Sequence, residues 1–278
     1  MVLIAILVVV LVTNHITVVA SQTFFKLQYG SIEGEEFSFQ KEHFECERDQ
    51  SCTSFKYNKE TKQSRLVHGG DEIVTTAKEN EVVWKKEPFG SCKSALPAHI
   101  NEGLYWIRSK SMAMALRVRC IRTEGKVYAA FSHDSEALIK VDGFENPGSY
   151  KRVITYKANL QDIKNFVDSS LACKQFTRID CHNMRLDGKG YLVDRDGVQM
   201  SYFGGGPSTG SGCSCGITKT CEKIDILCHC DVNDSRWRFD EGYVTDKKRL
   251  PLTQVRLGDT GGVTERGAHT VGKLLCEM

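Results

Sequence analysis

Five cysteines are crowded into Cys213-Ser-Cys215-Gly-Ile-Thr-Lys-Thr-Cys221-Glu-Lys-Ile-Asp-Ile-Leu-Cys228-His-Cys230, and a sixth, Cys276, stands close to the end of the chain. The chain has twelve cysteines in all, an even number. Disulfides persist in oxidising compartments, where they compensate for the limited core of a loop-rich domain. We therefore predict a disulfide-stabilised protein in which these cysteines all pair: Cys46, Cys52, Cys92, Cys120, Cys173, Cys181, Cys213, Cys215, Cys221, Cys228, Cys230 and Cys276.

Residues 1–20 have the pattern of a secretory signal peptide. An apolar run from Val2 to Val12 is followed by Val18-Val19-Ala20, which supplies the small residues that a signal peptidase requires. As a helix this run would be about 16 Å long, roughly half of a bilayer core. We expect cleavage after Ala20 and secretion of the mature chain, with an uncleaved anchor as the alternative.

Charge and composition restrict the function further. The net charge is +2 at pH 7, and Lys and Arg are not clustered. Nucleic acids and anionic membrane surfaces require a basic face, so neither is expected as a partner. Gly-rich loops and dense cysteines dominate from about residue 187 to 230, and this shift in composition indicates a domain boundary between Pro88 and Cys92.

Hydrophobic periodicity predicts an α+β fold that is mainly β. Before the boundary, we predict a short helix at Lys41–Asp49 and strands at Cys52–Tyr57, Ile73–Val74 and Val82–Trp84. After the boundary, β-branched and aromatic residues predict strands at Leu116–Ile121, Val127–Phe131, Tyr150–Tyr156 and Leu252–Leu257.

One amphipathic helix interrupts the later strands. Asn159 is its predicted N-cap, and Asp162 occupies the capping-box position. We expect the helix to end near Cys173, with a disulfide from Cys173 to Cys181 that joins it to the following strand. Its apolar face contains Leu160, Ile163, Phe166, Val167 and Leu171.

The segment 21–91 resembles a PAN/apple domain. The likeness rests on Cys46, Cys52 and the run Ser54-Phe-Lys-Tyr-Asn58. The pattern is degenerate, because Glu42 and Ser64-Arg-Leu66 stand where that family has further cysteines. The resemblance implies a Cys46–Cys52 bridge, and the alternative is an unrelated small α+β domain.

The segment 92–278 resembles the fibrinogen-like module of contactin-associated proteins. The likeness rests, in chain order, on Tyr150–Tyr156, Cys173-x7-Cys181, Phe203-Gly-Gly205, the five-cysteine cluster, Leu250-Pro-Leu-Thr253 and Gly272–Cys276. A weaker similarity to fibrillar-collagen C-propeptides begins at Tyr105-Trp-Ile107. The resemblance implies a disulfide-rich, fibrinogen-like recognition domain.

The pairing of the cysteines is only partly determined. A Cys92–Cys120 bridge would close a loop of 29 residues and stabilise the fold by about 3–4 kcal/mol in the chain-entropy model. The remaining six can form three bridges in 15 ways, among which the sequence does not choose: Cys213, Cys215, Cys221, Cys228, Cys230 and Cys276.

Two motifs contain the residue types of metal or catalytic sites but lack the spacing or the flanking elements that such sites require. Cys228-His-Cys230 could bind zinc with Cys213 and Cys215, but the C-x-C spacing and an oxidising compartment favour disulfides. Gly206-Pro-Ser208-Thr-Gly210 matches a nucleophile elbow, but no helical run follows it. We therefore expect no catalytic residue, metal ion or cofactor.

The segment Asp231-Val-Asn-Asp234 begins like a calcium loop. An EF-hand is excluded, because Arg236 and Gly242 would occupy its sixth and twelfth positions. Calcium binding by Asp231 and a solvated turn both stay open. Asn233-Asp-Ser235 is an N-glycosylation sequon, so Asn233 is a predicted glycosylation site.

Aromatic residues near the cysteine cluster are candidates for partner binding: Tyr202, Phe203, Trp237 and Phe239. Such residues are just as often part of a core. We place Trp237 in the core, because it lies between the cysteine cluster and a strand.

These features favour a secreted recognition or adhesion protein, without enzymatic activity, that binds extracellular proteins or glycans. It would be a component of an extracellular matrix, including a mineralised one. The alternatives are a soluble lectin-like factor and a secreted hydrolase that uses Ser208 or the Cys/His cluster. Retention in an insoluble matrix would favour the matrix component, whereas elution by sugar would favour the lectin.

Overall fold

The computed structural model describes residues 25–29, 52–58, 60–61, 63–68, 81–86, 88–96, 98–206 and 210–278. The chain divides into two units, Met1–Glu87 and Pro88–Met278. The division falls at the start of the stretch in which the sequence predicts a domain boundary. Several predicted features lie outside the described residues: the signal peptide, the helix at Lys41–Asp49, the strand at Ile73–Val74, and Cys46.

In the first unit, the described residues form an antiparallel sheet of four strands: β1 Phe25–Tyr29, β2 Cys52–Asn58, β3 Gln63–His68 and β4 Glu81–Lys86. The order in the sheet is β1-β4-β2-β3. Periodicity predicted β2 and β4 but neither β1 nor β3. Asn58 shapes the turn into β3, because its Oδ1 accepts the backbone N–H groups of Glu60 and Thr61, both at 2.9 Å.

The second unit is mainly β with few helices, as the sequence predicted. Its described strands are β5 Glu102–Ile107, β6 Leu116–Thr123, β7 Lys126–Phe131, β8 Ile139–Val141, β9 Tyr150–Val153, β10 Ala172–His182, β11 Tyr191–Val193, β12 Gln199–Met200, β13 Arg238–Val244, β14 Gln254–Leu257 and β15 Arg266–Glu277. The helices are α1 Cys92–Ala95, α2 Leu160–Ser169 and α3 Ser214–Thr218, with a 3-10 turn, η1, at His229–Val232.

Two antiparallel sheets organise this unit. In the described residues the larger sheet has seven strands, in the order β13-β10-β15-β7-β6-β5. The seventh strand of this sheet, β8, pairs with the first half of β15, and β7 pairs with its second half. The smaller sheet has the order β12-β11-β14-β9. Two predicted strands are shorter than expected, since β9 ends at Val153 and β14 begins at Gln254.

The helix α2 begins where the sequence predicted. The Oδ1 of Asn159 accepts the backbone N–H groups of Gln161 at 2.8 Å and Asp162 at 3.4 Å. Such an N-cap stabilises a helix by about 1 kcal/mol. The predicted face is only partly buried, because Leu160 in the first turn is exposed. The buried members of this face are Ile163, Phe166 and Val167.

The end of α2 corrects the sequence prediction. We expected the helix to continue to Cys173, but it ends at Ser169, and the hydroxyl of Ser170 donates to the backbone oxygen of Phe166 at 2.7 Å. Leu171 was assigned to the buried face and is 78% exposed. From the next residue onward, burial alternates with a period of two, which is the pattern of a strand with one buried face. This strand is β10.

Five disulfides join described cysteines: Cys92–Cys120, Cys173–Cys276, Cys181–Cys230, Cys213–Cys228 and Cys215–Cys221. The expected bridge between Cys92 and Cys120 is present, and it links α1 to β6. Cys52 in β2 is also disulfide-bonded. Every cysteine in the part of the chain that the structure describes is therefore paired.

The expected Cys173–Cys181 bridge is wrong. Both residues lie in β10, where their separation in sequence places the Cα atoms about 26 Å apart, whereas a disulfide requires less than about 7 Å. Cys173 instead lies opposite Cys276 on β15, with 4.1 Å between the Cα atoms, and Cys181 pairs with Cys230 in η1. The tail cysteines therefore do not pair only among themselves, as we had assumed.

Candidate functional site

Alternate side chains of β8, β10, β13 and β15 point away from the core and form one surface, which we call the outer face. Strand register aligns four of them in a row. Phe239 in β13 pairs with Asp180 in β10. Asp180 also pairs with Ala268 in β15, which pairs in turn with Lys140 in β8. Neighbouring strands lie about 4.8 Å apart, so the row extends about 14 Å across the sheet.

A shallow cavity of about 780 Å³ lies on the outer face. Ala268 belongs to its floor, and this small side chain leaves room between the longer side chains of the surrounding strands. We call it the Ala268 cavity. It is lined by Leu138, Lys140, Val141, Asp142, Arg178, Asp180, Trp237, Arg266, Gly267 and Ala268.

Arg178 is held in place beside this cavity. Its guanidinium carbon lies 3.9 Å from the centroid of the Phe239 ring. Its nitrogens donate to Asp180 at 2.7 Å and to Glu241 at 2.9 Å. The hydrogen bond to Asp180, followed by the charge of that carboxylate and the contacts with Glu241, raises the pKa of Arg178 against the effect of burial. The guanidinium is therefore a fixed, permanently charged plane on the surface.

The same combination of rings and cations continues along the outer face. The Nζ of Lys174 lies 4.4 Å from the ring centroid of Tyr243 and 5.1 Å from that of Tyr128. The rings of Phe176 and Tyr243 pack edge to face at 5.5 Å. Exposed cation–π contacts contribute only about 0.5–1 kcal/mol each, so they orient these side chains more than they stabilise the fold.

Trp237 is not in the core, contrary to the sequence prediction. Its side chain is 62% exposed, and Phe239 is 45% exposed. The period of two along β13 explains this, because residues that alternate with the buried Asp240 point outward. The imidazole of His182 lies 5.4 Å from the indole ring. Of the four candidate aromatics, Tyr202 and Phe203 are buried, so only the other two are available to a partner.

One cation that lines the Ala268 cavity has no ion-pair partner among the described residues. Three cations line it, Lys140, Arg178 and Arg266, against two carboxylates, Asp142 and Asp180. The Nη1 of Arg266 lies 3.2 Å from the Oδ1 of Asp142. Lys140 is exposed and forms no ion pair with any residue that the structure describes. Lys140 is therefore the cation of the described lining that stays free to bind a ligand.

The alternative of a zinc site is excluded by the disulfides. The four candidate sulfur ligands, Cys213, Cys215, Cys228 and Cys230, are all oxidised to disulfides and offer no thiolate. Ser208, the candidate nucleophile, lies outside the described residues.

The candidate calcium ligands have other partners. The Oδ1 of Asp231 accepts the backbone N–H groups of Leu186 and Asp187, both at 2.9 Å. The carboxylate of Asp234 binds Arg238 and Arg236, and the hydrogen bond from Arg238 contributes most to lowering its pKa. The two carboxylates thus serve separate parts of the fold. Asn233, between them, is exposed, so N-glycosylation there stays a prediction.

One acidic group of three does approach within metal-binding range: Glu145, Asp259 and Glu265. A cation of the protein already occupies this place, because the Nζ of Lys189 lies 3.2 Å from Asp259 and 3.3 Å from Glu145. Lys189 therefore offsets part of the negative charge of this group.

Asp240 is an important residue that the sequence analysis missed. It is buried in β13, and its two oxygens accept the backbone N–H groups of His229 and Cys230, each at 2.9 Å. Burial raises the pKa of Asp240, while these two hydrogen bonds lower it. The carboxylate fixes η1 and the Cys181–Cys230 bridge against the sheet. The available signal was an aspartate at an inward position of the alternating run Arg238–Val244.

No protein-family model matches this chain. The chain is similar to neurexin-4 of Drosophila melanogaster. The identity is 32% over 167 residues, which are 56% of this chain and 13% of that protein. Human contactin-associated protein 1 is 28% identical over 166 residues, which are 57% of this chain and 12% of that protein.

The similarity agrees with the predicted resemblance to contactin-associated proteins and points to a domain of the neurexin-4 and contactin-associated type. The matched residues span about an eighth of the length of these curated relatives. No helix in the described ranges is long and apolar enough to cross a membrane.

Proposed function

We propose that this chain is an extracellular recognition and adhesion protein and that the outer face is its binding surface. The observation that supports this most strongly is the group of exposed rings and fixed cations: Phe239 against Arg178, Tyr243 against Lys174, and Trp237 at the same cavity as Arg178. Tryptophan, tyrosine and arginine are the residues that contribute most binding energy at protein interfaces. A contiguous patch of such residues on an exposed sheet face is typical of an interaction site.

The scaffold suits such a role. The bridges Cys173–Cys276 and Cys181–Cys230 fix both ends of β10, the strand at the centre of the outer face. A rigid surface loses little conformational entropy when it binds, so more of the contact energy appears as affinity. The disulfides also support an extracellular location, because they persist in oxidising compartments.

The relatives support the same class of function. Contactin-associated protein 1 is, by its name, a partner of contactin. We propose that this chain likewise binds an extracellular protein or glycan, without enzymatic activity. We further propose a fibrinogen-like fold for residues 92–278, a PAN/apple-like fold for residues 21–91, and residence in an extracellular matrix.

The test is binding of the secreted chain to cultured cells and to matrix from which cells have been removed. The double variant Trp237→Ala/Phe239→Ala removes two exposed rings of the outer face. Ile217→Ala/Ile224→Ala is the matched control, because it also removes two exposed apolar side chains, neither of which lines the cavity. We expect the first variant to lose at least about tenfold in bound protein and the control to bind like the wild type. Equal binding by all three would refute the proposal.

A further inference from the structure

We propose that the Ala268 cavity binds a saccharide that carries a carboxylate, of the uronic or sialic acid type. This inference rests on the proposed function, because it names the ligand of the same outer face.

The Ala268 cavity has the size of a small-molecule site. Its volume of about 780 Å³ lies within the range of small-molecule sites, about 300–1,000 Å³, and suits a short oligosaccharide. The space exists because Ala268 occupies the third place in a row whose other members are Phe239, Asp180 and Lys140. A larger residue at this position would project from the floor and obstruct the cavity.

Trp237 presents an exposed indole ring to the cavity. The ring stands at one side of the cavity, with His182 against it at 5.4 Å. The Nδ1 of His182 is in turn 2.9 Å from the backbone oxygen of Thr264, which limits the rotation of the imidazole. The indole is thereby oriented while 62% of its surface stays open to solvent. A flat apolar ring in this position is suited to stacking against the C–H face of a sugar ring.

The side chains that line the cavity include both hydrogen-bond donors and acceptors. Arg178 and Asp180 are joined at 2.7 Å, and Arg266 and Asp142 at 3.2 Å, so two oriented ion pairs line the cavity. Sugar hydroxyls both donate and accept hydrogen bonds, and they can satisfy the carboxylates and the guanidinium groups together. An apolar peptide side chain would desolvate these groups without replacing their hydrogen bonds with water.

The cavity lining also contains a cation that could bind a carboxylate of the ligand. The lining holds three cations and two carboxylates, and Lys140 is the cation that has no ion pair with any described residue. A ligand with one carboxylate would supply Lys140 with an ion-pair partner. Lys140 lies next to the floor residue Ala268, so a carboxylate of a sugar stacked on the indole stays within the same cavity.

The experiment measures calorimetric binding of the secreted full chain to four defined probes. The acidic probes are a hexasaccharide of alternating glucuronic acid and N-acetylglucosamine, and sialyllactose. The neutral probes are the carboxyl-reduced hexasaccharide and lactose. We expect at least one acidic probe to bind at least about tenfold more tightly than its neutral counterpart, with an affinity that falls as salt rises.

Three variants locate the site. We expect Ala268→Leu, which places a larger side chain on the floor of the cavity, and Trp237→Ala, which removes the stacking ring, each to weaken acidic-probe binding at least about tenfold. Lys140→Gln should remove most of the preference for the acidic over the neutral probe. Lys110→Gln removes an exposed lysine that does not line the cavity and should change nothing. Unfolding midpoints equal to that of the wild type would show that all four variants fold.

Failure of this inference is distinguishable from failure of the proposed function. If no acidic probe binds, or if acidic and neutral probes bind equally, the inference is overturned. It is also overturned if Ala268→Leu binds the acidic probe like the wild type. If no probe binds but surface binding still depends on Trp237 and Phe239, the proposed function stands and the partner is a protein.

Discussion

Some residues in this fold contact segments that are distant in the sequence, and Asp240 is the clearest case. It is buried in a strand, yet its carboxylate binds the backbone of η1 at His229 and Cys230. The sequence showed only an acidic residue between Phe239 and Glu241. Its role depends on a turn eleven residues earlier in the chain, and local pattern does not contain that information.

The Asp240→Ala variant should be destabilised by roughly 2–4 kcal/mol, because two buried N–H groups lose their acceptor. Asp240→Asn keeps one acceptor oxygen and should lose less. Glu241→Ala is the control, since it removes the adjacent, exposed carboxylate and should stay within about 0.5 kcal/mol of the wild type. Urea unfolding of the oxidised protein measures all three. Equal stability of Asp240→Ala and Glu241→Ala would contradict the assigned role.

His269 should make the stability depend on pH. It is fully buried, its Nε2 lies 2.9 Å from the hydroxyl of Tyr150, and burial, followed by the charge of Arg152, lowers its pKa to about 4. The unfolded chain therefore binds a proton more readily than the folded chain between about pH 6.5 and pH 4. The stability due to neutral His269 is complete above about pH 6.5 and is lost as the pH falls toward 4.

His269→Gln should unfold with a weaker dependence on pH across this range than the wild type does. The linked loss in the wild type is roughly 3 kcal/mol. A smaller dependence should remain in the variant, because burial also lowers the pKa of His133. The measurement is the urea unfolding free energy at pH 7.5, 6.0, 5.0 and 4.5. Parallel curves for the two proteins would show that His269 does not titrate in this way.

Among the elements, β10 determines both the disulfides and the outer face. Its inward residues include Cys173 and Cys181, and its outward residues include Arg178 and Asp180. A strand was expected after α2, but its start was misplaced because the apolar spacing of α2 continued through Leu171. Local periodicity did predict β6, β7 and the N-cap of α2, because those signals lie within a few residues. The pairing partners of β10 are distant in sequence, so their register could not be predicted.

A non-reducing peptide map should contain a peptide pair joined through Cys173 and Cys276 and another joined through Cys181 and Cys230. These bridges connect neighbouring elements in the sheet, whereas Cys173 and Cys181 are too far apart along one strand. The reduced protein, mapped in the same way, is the control. Finding Cys173 joined to Cys181 would contradict the register of β10 itself.

The loop at Phe203-Gly-Gly205 approaches β13 closely, and this approach requires glycine. A Cβ on Gly204 would lie 2.1 Å from the backbone oxygen of Gly242. Gly204→Ala should therefore destabilise the protein by about 1–3 kcal/mol or more, measured by thermal unfolding. Gly90→Ala is the control, because nothing lies within 4 Å of its Cβ position and the change should have little effect. An unchanged melting temperature for Gly204→Ala would disprove this close packing.

At the scale of the whole molecule, the sequence predicted the kind of protein better than the place where it binds. The cysteine count and the short periodic segments indicated a mainly β, disulfide-rich chain. The outer face could not be found in this way, because Lys140, Asp180, Phe239 and Ala268 meet only through the register of four strands. Trp237 was placed in the core for the same reason, since its exposure depends on which face of β13 is buried.

The central claim is that the protein recognises its partner at the Ala268 cavity on the outer face. The most direct test compares binding isotherms of the wild type and Ala268→Leu on intact cells and on cell-free matrix. This variant obstructs the floor of the cavity but removes no charged or aromatic side chain. We predict at least about a tenfold loss of affinity with an unchanged unfolding midpoint. Superimposable isotherms would contradict the claim and place the binding surface elsewhere.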